Sequence, residues 1–470
     1  MRPRIRVSDV HAGLHASDVP RLFRPVSVDE LRGIVRTHHD EHHPLAISGS
    51  RHAMGGQQFR TDATLLDMRG LDRVVTLDHA RGLVTAEAGI EWPALISGTH
   101  RLQREHEPDC EPRWGIAQKQ TGADHLTLGG ALACNAHGRG MRMKPIVADV
   151  ESFELVAPDG GLLTCSRVEN ADLFRHAIGG YGLFGPMARI TMRLRDRVRL
   201  RRVVRVIDIE DAVHAAQRRI DAGFLYGDFQ FDIDPASPEF LTKGVFACYH
   251  PVSDDTPMPA ERRELSRDDW TNLLHLAHTD KRLAFQKYAQ HYLATDGQLY
   301  WSDEHQSAVY TEGYHAELDR RLGATRRGSE MITELYVPPE RLVGFLHAAA
   351  RMLTHRRAQV IYGTIRLIMR DDETVLAWAR RVSACVIFNL HVDHTPEGIA
   401  HAADSFRALI DLALEREGTF YLTYHRFATR EQLLRGYPAL PAFIARKQSH
   451  DPGGLLTSDW YDWLRRTIGA

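Results

Sequence analysis

Cysteine is scarce in this sequence of 470 residues. The five cysteines are an odd number and are spread widely along the chain. A disulfide framework in a secreted protein uses an even number of cysteines at recognisable spacings. We therefore expect no disulfide scaffold and a reducing compartment, the cytoplasm.

Long apolar runs and an excess of one charge are also missing. No stretch approaches the roughly 20 apolar residues that a membrane-spanning helix needs. The segment Met1–Val7 is basic but lacks the apolar run of a signal peptide, so we expect a chain without leader or membrane span. The 59 Lys and Arg residues nearly balance the 61 Asp and Glu residues, which argues against a nucleic-acid partner.

A GxxxxGK[ST] phosphate loop does not occur, and the letters GxGxxG at Gly180–Gly185 follow a predicted helix rather than a strand, so they make no Rossmann loop. Two other glycine-rich stretches are present. Gly122–Gly140 reads GADHLTLGGALACNAHGRG, and its β-prone run Leu126–Leu128 predicts a strand that ends in a glycine turn. Pro44–Gln57 reads PLAISGSRHAMGGQ and predicts a second strand that runs into small residues. Glycines let a backbone approach a ligand, and successive N–H groups can hold an anion. A buried strand and a tight turn would explain either stretch taken alone.

With a third stretch, Gly179–Gly185 (GGYGLFG), the two resemble the FAD-binding domain of the vanillyl-alcohol oxidase / p-cresol methylhydroxylase family. The resemblance implies that Pro44–Gln57 is the pyrophosphate loop and that Gly122–Gly140 runs along the flavin. Gly179–Gly185 would close around the isoalloxazine. The resemblance covers residues 1–195 well and the C-terminal third loosely.

Two branches of this family are similar to the chain. LTLGGALACNAHGRG, DLFRHAIGGYGLFG and the C-terminal DPGGLLTSDW resemble decaprenylphosphoryl-ribose oxidase. The pyrophosphate loop is more similar to that of cytokinin dehydrogenases and of alditol or aldonolactone oxidases, because it carries His52. That likeness implies a covalent bond from His52 to the flavin 8α-methyl; the alternative is a histidine beside a non-covalent flavin. The position of a second, cysteinyl link falls near Ala123, so we expect no bicovalent flavin.

The resemblance implies two groups of FAD-binding residues. Those on the pyrophosphate and adenosine side are Ser48, Gly49, Ser50, Arg51, His52, Ala53 and Gln57. Those along the flavin and ribityl chain are Gly122, Thr127, Gly129, Gly130, Asn135, Gly138, Met187 and Tyr421.

The resemblance also suggests catalytic residues, each with a plainer alternative. His137 matches a histidine beside the isoalloxazine, or it is a turn residue. Tyr424 stands where the ribose oxidase has a lysine, and Tyr424 or His425 would lie near the substrate hydroxyl; otherwise both belong to a half-buried aromatic strand, Phe420–His425. Cys385 resembles a substrate-site cysteine, or it is a small buried residue.

Acidic and metal-binding candidates are few. No Asp or Glu stands out in the substrate-side strands. His391, Asp393 and His394 could chelate a metal, but a strand points neighbouring residues to opposite faces, so we expect no metal site.

The predicted architecture is α+β. Residues 1–197 form a two-part FAD-binding domain, in which the strands up to Ala86 make the small half and Gly122–Leu194 the larger half. Residues 198–430 form a substrate domain with a mainly antiparallel sheet, and the charged run Arg193–Arg205 predicts an exposed edge strand. A helical insert at about 257–330 is either a lid or a surface insertion, and residues 431–470 return to the FAD domain.

The function implied is FAD-dependent oxidation of a hydroxyl group on a small, polar, sugar-derived or polyol substrate by hydride transfer to flavin N5. Reduced flavin would pass its electrons to O2 or another acceptor. Two alternatives stay open: oxidation of a C–N bond, as in cytokinin dehydrogenases and nicotine oxidases, and a non-catalytic flavoprotein.

Overall fold

The computed structural model describes residues 4–307 and 313–469, which fold into an α+β protein with largely antiparallel sheets. Residues 1–3 of the predicted N-terminal segment, 308–312 of the predicted insert and residue 470 of the predicted C-terminal segment lie outside the described residues. Within the described ranges, no helix combines the length and apolarity needed to cross a bilayer.

Twenty strands occur in this part of the chain: β1 (Ile5–Val7), β2 (Ser17–Val19), β3 (Leu22–Phe23), β4 (Leu45–Ser48), β5 (Thr64–Asp67), β6 (Val74–Asp78), β7 (Leu83–Glu87), β8 (Trp114–Gly115), β9 (Val150–Val156), β10 (Leu162–Ser166), β11 (Met187–Arg193), β12 (Arg195–Asp196), β13 (Arg199–Asp208), β14 (Tyr226–Phe231), β15 (Lys243–Pro251), β16 (Leu299–Trp301), β17 (Gly328–Val337), β18 (Val360–Ile368), β19 (Ser383–Asp393) and β20 (Thr419–Phe420).

Thirteen α-helices accompany them: α1 (Val28–Asp40), α2 (Trp92–His106), α3 (Leu128–Ala133), α4 (Ala171–Ala177), α5 (Ile209–Asp221), α6 (Arg267–Thr279), α7 (Lys281–Leu293), α8 (Tyr314–Leu322), α9 (Leu342–His355), α10 (Pro396–Leu414), α11 (Arg430–Gly436), α12 (Leu440–His450) and α13 (Asp459–Ile468). Short 3-10 turns span Met68–Gly70, Ile146–Asp149 and Pro339–Arg341.

The N-terminal part contains a parallel sheet, β3-β5-β4, and an antiparallel sheet, β10-β9-β11-β7-β6. The prediction that all early strands belong to the small half is therefore wrong for β6 and β7. Strand β7 pairs with β11 because their buried faces match: Val84 lies opposite Met192, and Ala86 lies opposite Ile190. The match of buried faces, rather than proximity to β5 in the sequence, determines the strand with which β7 pairs.

The strand predicted at Leu126–Leu128 is also wrong, since the chain enters helix α3 there. Thr127 is the N-cap, and its hydroxyl accepts a hydrogen bond of 3.2 Å from the Gly130 N–H. Leu128, Ala131 and Leu132 are buried at helical spacing. A cap followed by this spacing outweighs the β-propensity of a three-residue run.

The C-terminal part is built on one sheet with the order β16-β13-β15-β14-β18-β19-β17-β20. Each described pairing in it is antiparallel, as the sequence predicts. The prediction of an exposed edge is wrong only for the first residues of β13, because β16 pairs with Arg199–Arg201. From Arg202 to Asp208 the strand pairs with β15 alone, and Arg205 is exposed. The side chain of Arg202 is buried on β13.

Three further contacts shape the centre of the molecule. Helices α6 and α7 of the predicted insert pack on the eight-stranded sheet. The C-terminal segment returns to β4, where the Leu45 N–H donates to Leu455 O (2.7 Å) and the Thr457 N–H donates to Leu45 O (3.0 Å). Of the aromatic strand predicted at Phe420–His425, only Thr419–Phe420 is strand. The remaining residues form a loop, in which Thr423 O accepts a hydrogen bond from the Met54 N–H (3.1 Å).

Candidate active site

Two connected cavities lie where the N-terminal part meets the eight-stranded sheet. The glycine-lined cavity, of about 220 Å³, is bounded by the stretches Gly49–Gln57, Gly122–Gly130 and Tyr181–Met187. The polar cavity, of about 620 Å³, lies between the sheet and helices α6 and α7. The residues that line both are Gln120, Thr121, Gly122, Ile332 and Tyr424. Molecules bound in the two cavities would therefore meet beside Tyr424.

Most of the residues predicted to bind a cofactor line the glycine-lined cavity. They are Gly49, Ser50, Arg51, His52, Ala53, Gln57, Gly122, Thr127, Gly129, Gly130, Met187 and Tyr421. Four segments distant in sequence thus share one wall. Gln57 joins the first of them to the C-terminal loop, since its Nε2 donates to Leu422 O (2.6 Å).

His52 is held in this wall by a histidine that sequence analysis missed. His11 Nε2 lies 2.9 Å from His52 Nδ1, and both side chains line the cavity. Burial lowers the pKa of His52 to about 4, so its imidazole is neutral near pH 7. A neutral imidazole is the nucleophilic form. Nothing local marks His11, which precedes the first glycine stretch by two short strands and a helix.

The polar cavity presents a set of buried polar atoms that have no hydrogen-bond partner among the described residues. These are Gln120 Oε1, Arg139 Nε, Asp228 Oδ1, Gln230 Oε1, His305 Nε2, Arg366 Nε and Nη1, and Asn389 Oδ1. Leaving such an atom unsatisfied costs about 1–3 kcal/mol. The mix of donors and acceptors suits a ligand that carries several hydroxyl groups.

Glu334 on β17 is the acidic group at the junction of the cavities. It is fully buried, and it accepts hydrogen bonds from Tyr424 Oη (2.6 Å), Tyr336 Oη (2.7 Å) and His137 Nε2 (3.0 Å). Burial acts to raise the pKa of Glu334, but the interactions with His137 and the two tyrosines outweigh it and lower the pKa to about 2. The carboxylate is therefore ionised throughout the physiological range.

Glu334 corrects the prediction that no acidic residue stands out on the substrate side. The sequence around it, MITELYV, reads as an ordinary sheet strand with one polar position. The one indication in the sequence was the position of this carboxylate inside an apolar strand, since a carboxylate is rarely buried unless it is paired. Its partners come from residues about 90 and 200 positions away, which no local pattern reveals.

Comparison with known proteins supports a flavin-binding role for the glycine-lined cavity. Residues 19–166 match the family described as FAD binding domain. The N-terminal part of the chain therefore carries an FAD-binding domain, as the sequence predicts. The protein is an FAD-dependent oxidoreductase.

Three relatives illustrate the range of this similarity. The L-gulono-1,4-lactone dehydrogenase of Mycobacterium tuberculosis is 24% identical over 453 residues, which is 95% of this flavoprotein and 96% of the relative. The mitochondrial L-galactono-1,4-lactone dehydrogenase 2 of Oryza sativa is 29% identical over 41% of this chain and 32% of the relative. Cytokinin dehydrogenase 9 of the same plant is 29% identical over 36% of this chain and 32% of its own length. The mycobacterial similarity thus extends through the substrate half.

The residues of the glycine-lined cavity fit FAD. Gly122 has a φ of +82° and no atom within 4 Å of where a Cβ would stand, so its backbone is open to a flat ring. A Cβ on Gly49 would meet Thr127 Oγ1 at 2.1 Å. The Nε of Arg51 is buried without a hydrogen bond in the described part of the chain. A buried guanidinium of this kind matches a pyrophosphate oxygen.

Three residues predicted to contact the cofactor support the surrounding turns instead. Ser48 Oγ donates to Leu66 O (3.4 Å) within the small sheet. Asn135 has a φ of +52°, and its Nδ2 donates to Asp371 Oδ2 (2.9 Å). The Gly138 N–H donates to Gln118 Oε1 (3.2 Å). None of Ser48, Asn135 and Gly138 lines either cavity, which corrects the prediction for them.

Two predicted catalytic residues, His137 and Cys385, lie behind Glu334 rather than in a cavity wall. His137 is buried, and its Nδ1 donates to Gly138 O (2.9 Å) while Nε2 faces Glu334. Cys385 Sγ lies 3.7 Å from His137 Nε2, and burial raises the pKa of its thiol. Both therefore contact Glu334 and are separated from the cavities by it.

His425 is placed away from both cavities, unlike its neighbour Tyr424. Its ring is stacked on Phe406 (4.6 Å between centroids) and on Phe427 (5.3 Å). Its Nε2 lies 3.2 Å from Thr333 Oγ1, and burial lowers its pKa to about 3. The loop that replaces the predicted strand turns the two side chains apart. The prediction that His425 lies near the substrate is therefore wrong.

Proposed function

We propose that this flavoprotein oxidises a secondary or primary hydroxyl group of a sugar-derived substrate, such as an aldonolactone, a sugar or a polyol. Bound FAD supplies the two-electron acceptor, which takes hydride at N5. The observation that carries the proposal is the polar cavity, whose unsatisfied donors and acceptors adjoin the cofactor cavity at Tyr424. The names of the mycobacterial and rice relatives, both lactone dehydrogenases, support the same substrate class.

Tyr424 and Glu334 are the residues we assign to the hydroxyl proton. Glu334 lines the polar cavity, and Tyr424 lines both cavities and donates to Glu334 Oε1. A substrate hydroxyl in the polar cavity would pass its proton to Tyr424 Oη, as the phenol proton moves to Oε1. The tyrosine thus ends neutral, and the proton ends on Glu334.

The basicity of Glu334 must rise for this transfer, since its pKa of about 2 makes it a weak base. The hydrogen bonds from Tyr336 and His137 to Oε2 hold the carboxylate in place. Exclusion of water by a bound substrate raises the affinity of a carboxylate for a proton. Within this proposal, Tyr336 and His137 orient the acceptor, and Tyr424 connects it to the substrate.

We propose that FAD lies along the wall formed by Gly49–Gln57, Gly122–Gly130 and Met187, with Tyr421 at the flavin side, and that His52 bonds to the 8α-methyl carbon. The short contact with His11 and the neutral imidazole support attachment. The bond replaces one hydrogen on the methyl carbon and one on the imidazole, and an external acceptor such as O2 removes the two electrons.

The domain assignment belongs to the same proposal. Residues 1–197 would bind FAD in the two-part PCMH fold, residues 198–430 would bind substrate, and residues 431–470 would close the FAD domain. Contacts of the C-terminal segment with Leu45 support this division. All five cysteines are free thiols, which supports a cytoplasmic location.

A substrate panel tests the proposal. Holoenzyme is mixed anaerobically with aldonolactones, alditols, sugars, and unsaturated or cyclic amines, and the flavin absorbance is followed. We expect bleaching by at least one hydroxylated compound and none by the amines. Reduction by amines alone would contradict the proposal.

C–N oxidation is the second candidate, and Glu334 is the observation that favours it. Cytokinin dehydrogenase 9 is similar to 36% of this chain, and an ionised carboxylate could accept a proton from an amine. The lining of the polar cavity contains five arginines and five acidic residues, so its charge does not distinguish a neutral polyol from a cationic amine. The two candidate functions are separated by a rate of flavin reduction that saturates with a neutral polyol but not with an alkylamine.

A further inference from the structure

A second cluster of reactive side chains lies apart from Glu334, near the start of the same strand. Glu330 on β17 is buried and is surrounded by His278 of α6, His315 of α8 and His391 of β19. We call these four residues the histidine cluster. They come from four elements, and two of these are helices of the insert that covers the polar cavity.

The distances in the cluster match those between ligands of one metal ion. His278 Nε2 lies 3.0 Å from Glu330 Oε1, and His391 Nδ1 lies 3.2 Å from the same oxygen. His315 Nδ1 lies 2.9 Å from Glu330 Oε2. Ligands about 2.0–2.2 Å from a tetrahedral zinc ion stand about 3.3 Å from one another. Ligand atoms of His278, Glu330 and His391 all fall within 4.8 Å of each other.

Hydrogen bonding alone does not account for the cluster. His315 Nδ1 lies 2.9 Å from Glu330 Oε2, and its other ring nitrogen, Nε2, has no hydrogen-bond partner within the described residues. Its ring is mostly buried, with 12% of the side chain exposed. A buried ring nitrogen without a partner is rare in native proteins, and a bound ion is one of its explanations.

The surroundings provide the second layer of contacts that metal sites use. His391 Nε2, the nitrogen turned away from Glu330, lies 3.4 Å from Asp393 Oδ1. A carboxylate behind a ligating histidine fixes its tautomer and ring orientation. Tyr314 Oη donates to Glu330 Oε2 (2.6 Å), which holds the carboxylate from the side of the polar cavity.

We propose that the histidine cluster binds one divalent transition-metal ion of the zinc class, with His278, His391 and Glu330 as the preformed ligands. His315, which contacts Glu330 Oε2, becomes the fourth ligand when the ion binds. Four protein ligands make a closed, structural site. The ion would fasten α6 and α8 to β17 and β19, and so fix the helical cover of the polar cavity. Sequence analysis set His391 aside because it considered only neighbours along one strand; the ligands come from different elements.

Metal binding by the complete holoenzyme tests this site. The protein is dialysed against a chelator and titrated with Zn²⁺ in competition with a chromophoric chelator, and the bound metal is measured by mass spectrometry. We expect about one ion per chain. The double variant His278→Gln/His391→Gln should lose at least about tenfold in affinity. His347→Gln is the matched control, because His347 forms an exposed pair with Glu210 (2.9 Å) far from the cluster.

A second measurement on the unaltered chain keeps the test independent of variant folding. Co²⁺-loaded or Zn²⁺-loaded protein is studied by X-ray absorption, which should show only nitrogen and oxygen neighbours at about 2.0–2.2 Å. A sulfur neighbour at about 2.3 Å would instead place the ion at Cys385, with His137 and Glu334, and would overturn the proposal. No binding, or equal binding by the double variant, would overturn it too.

Hydrogen exchange shows what the ion does. Removing it should speed exchange in α6 and α8 while α10, on the other side of the sheet, is unchanged. FAD content is measured in the same samples and should stay constant. Metal bound without any effect on α6 or α8 would contradict the fastening role. These readouts do not depend on turnover, so the proposed oxidation can fail while the metal site stands.

Discussion

Tyr424 and Glu334 lie 90 residues apart in the chain and share a hydrogen bond of 2.6 Å at the junction of the two cavities. One belongs to an irregular loop near the C-terminus and the other to a central strand. Tyr424 contacts both cavities, whereas Glu334 borders the polar one. This pair connects the cofactor wall with the place where a substrate hydroxyl would lie.

Replacing Glu334 with Gln should slow flavin reduction by about 10²–10⁴-fold, because the proton acceptor is lost. An amide nearly matches the carboxylate in shape, and FAD content should be unchanged because Glu334 is outside the glycine-lined cavity. Single-turnover reduction by the best hydroxylated substrate measures the effect. A rate within threefold or so of wild type would rule out Glu334 as the acceptor.

Tyr424→Phe and Tyr336→Phe form a matched pair, since each removes one hydroxyl that donates to Glu334. Both should destabilise the protein by about 1–3 kcal/mol, as a buried carboxylate oxygen loses a donor. Only Tyr424 lines a cavity, so Tyr424→Phe should slow flavin reduction at least about tenfold more than Tyr336→Phe. Denaturant unfolding and stopped-flow absorbance give the two quantities. Equal rate losses would reduce Tyr424 to a structural role.

Substitution of Arg366 tests whether the polar cavity contributes to substrate binding. Its Nε and Nη1 are buried without a hydrogen bond in the described chain. Arg366→Met should raise KM by about tenfold with little change in kcat, because a contact made in ground state and transition state alike is lost. Stability should not fall, since the change removes a buried charge. Arg351→Gln, on the exposed face of α9, is the control and should leave KM unaltered.

His52→Ala should abolish covalent flavin, which intact mass under denaturing conditions measures directly. His11→Asn should slow attachment at least about tenfold, because His11 Nε2 is in contact with His52 Nδ1. His15→Asn, in the same N-terminal segment but bonded to Arg426, should attach flavin normally. Wild-type protein whose flavin is released entirely by acid would show that attachment does not occur.

The pKa of His425, lowered to about 3 by burial, predicts a pH-dependent stability. An unfolded histidine has a pKa near 6.5, so the unfolded chain binds a proton first as pH falls. The neutral form is favourable to folding above pH 6.5 or so, and this stability is lost as pH falls toward 3. Between pH 7.5 and 5, wild type should lose about 2 kcal/mol more than His425→Gln. Equal losses in denaturant unfolding would contradict the assignment.

The glycine-rich stretches allowed much of the cofactor wall to be predicted. Gly49–Gln57 and Gly122–Gly130 line it because small residues and turn conformations are local properties that a sequence displays. The antiparallel sheet of the substrate half was predicted for a similar reason, since apolar strands are bounded by turns and helices.

What sequence analysis missed depends on contacts between distant segments. Glu334 is prominent only once His137 and Tyr424 surround it, and His11 only once it reaches His52. Strand β7 joined the larger sheet through a match of buried faces with β11. Helix α3 was missed because its short run is β-prone and the Thr127 cap was not weighed against it.

Kinetic isotope effects on flavin reduction test the central claim most directly. Wild type and Glu334→Gln are mixed anaerobically with an aldonolactone or alditol that carries deuterium at the reacting carbinol carbon. The account predicts flavin bleaching by wild type, slowed several-fold or so by deuterium, and nearly abolished in the variant. Wild type that fails to bleach with any hydroxylated compound, yet bleaches with an amine, would contradict it.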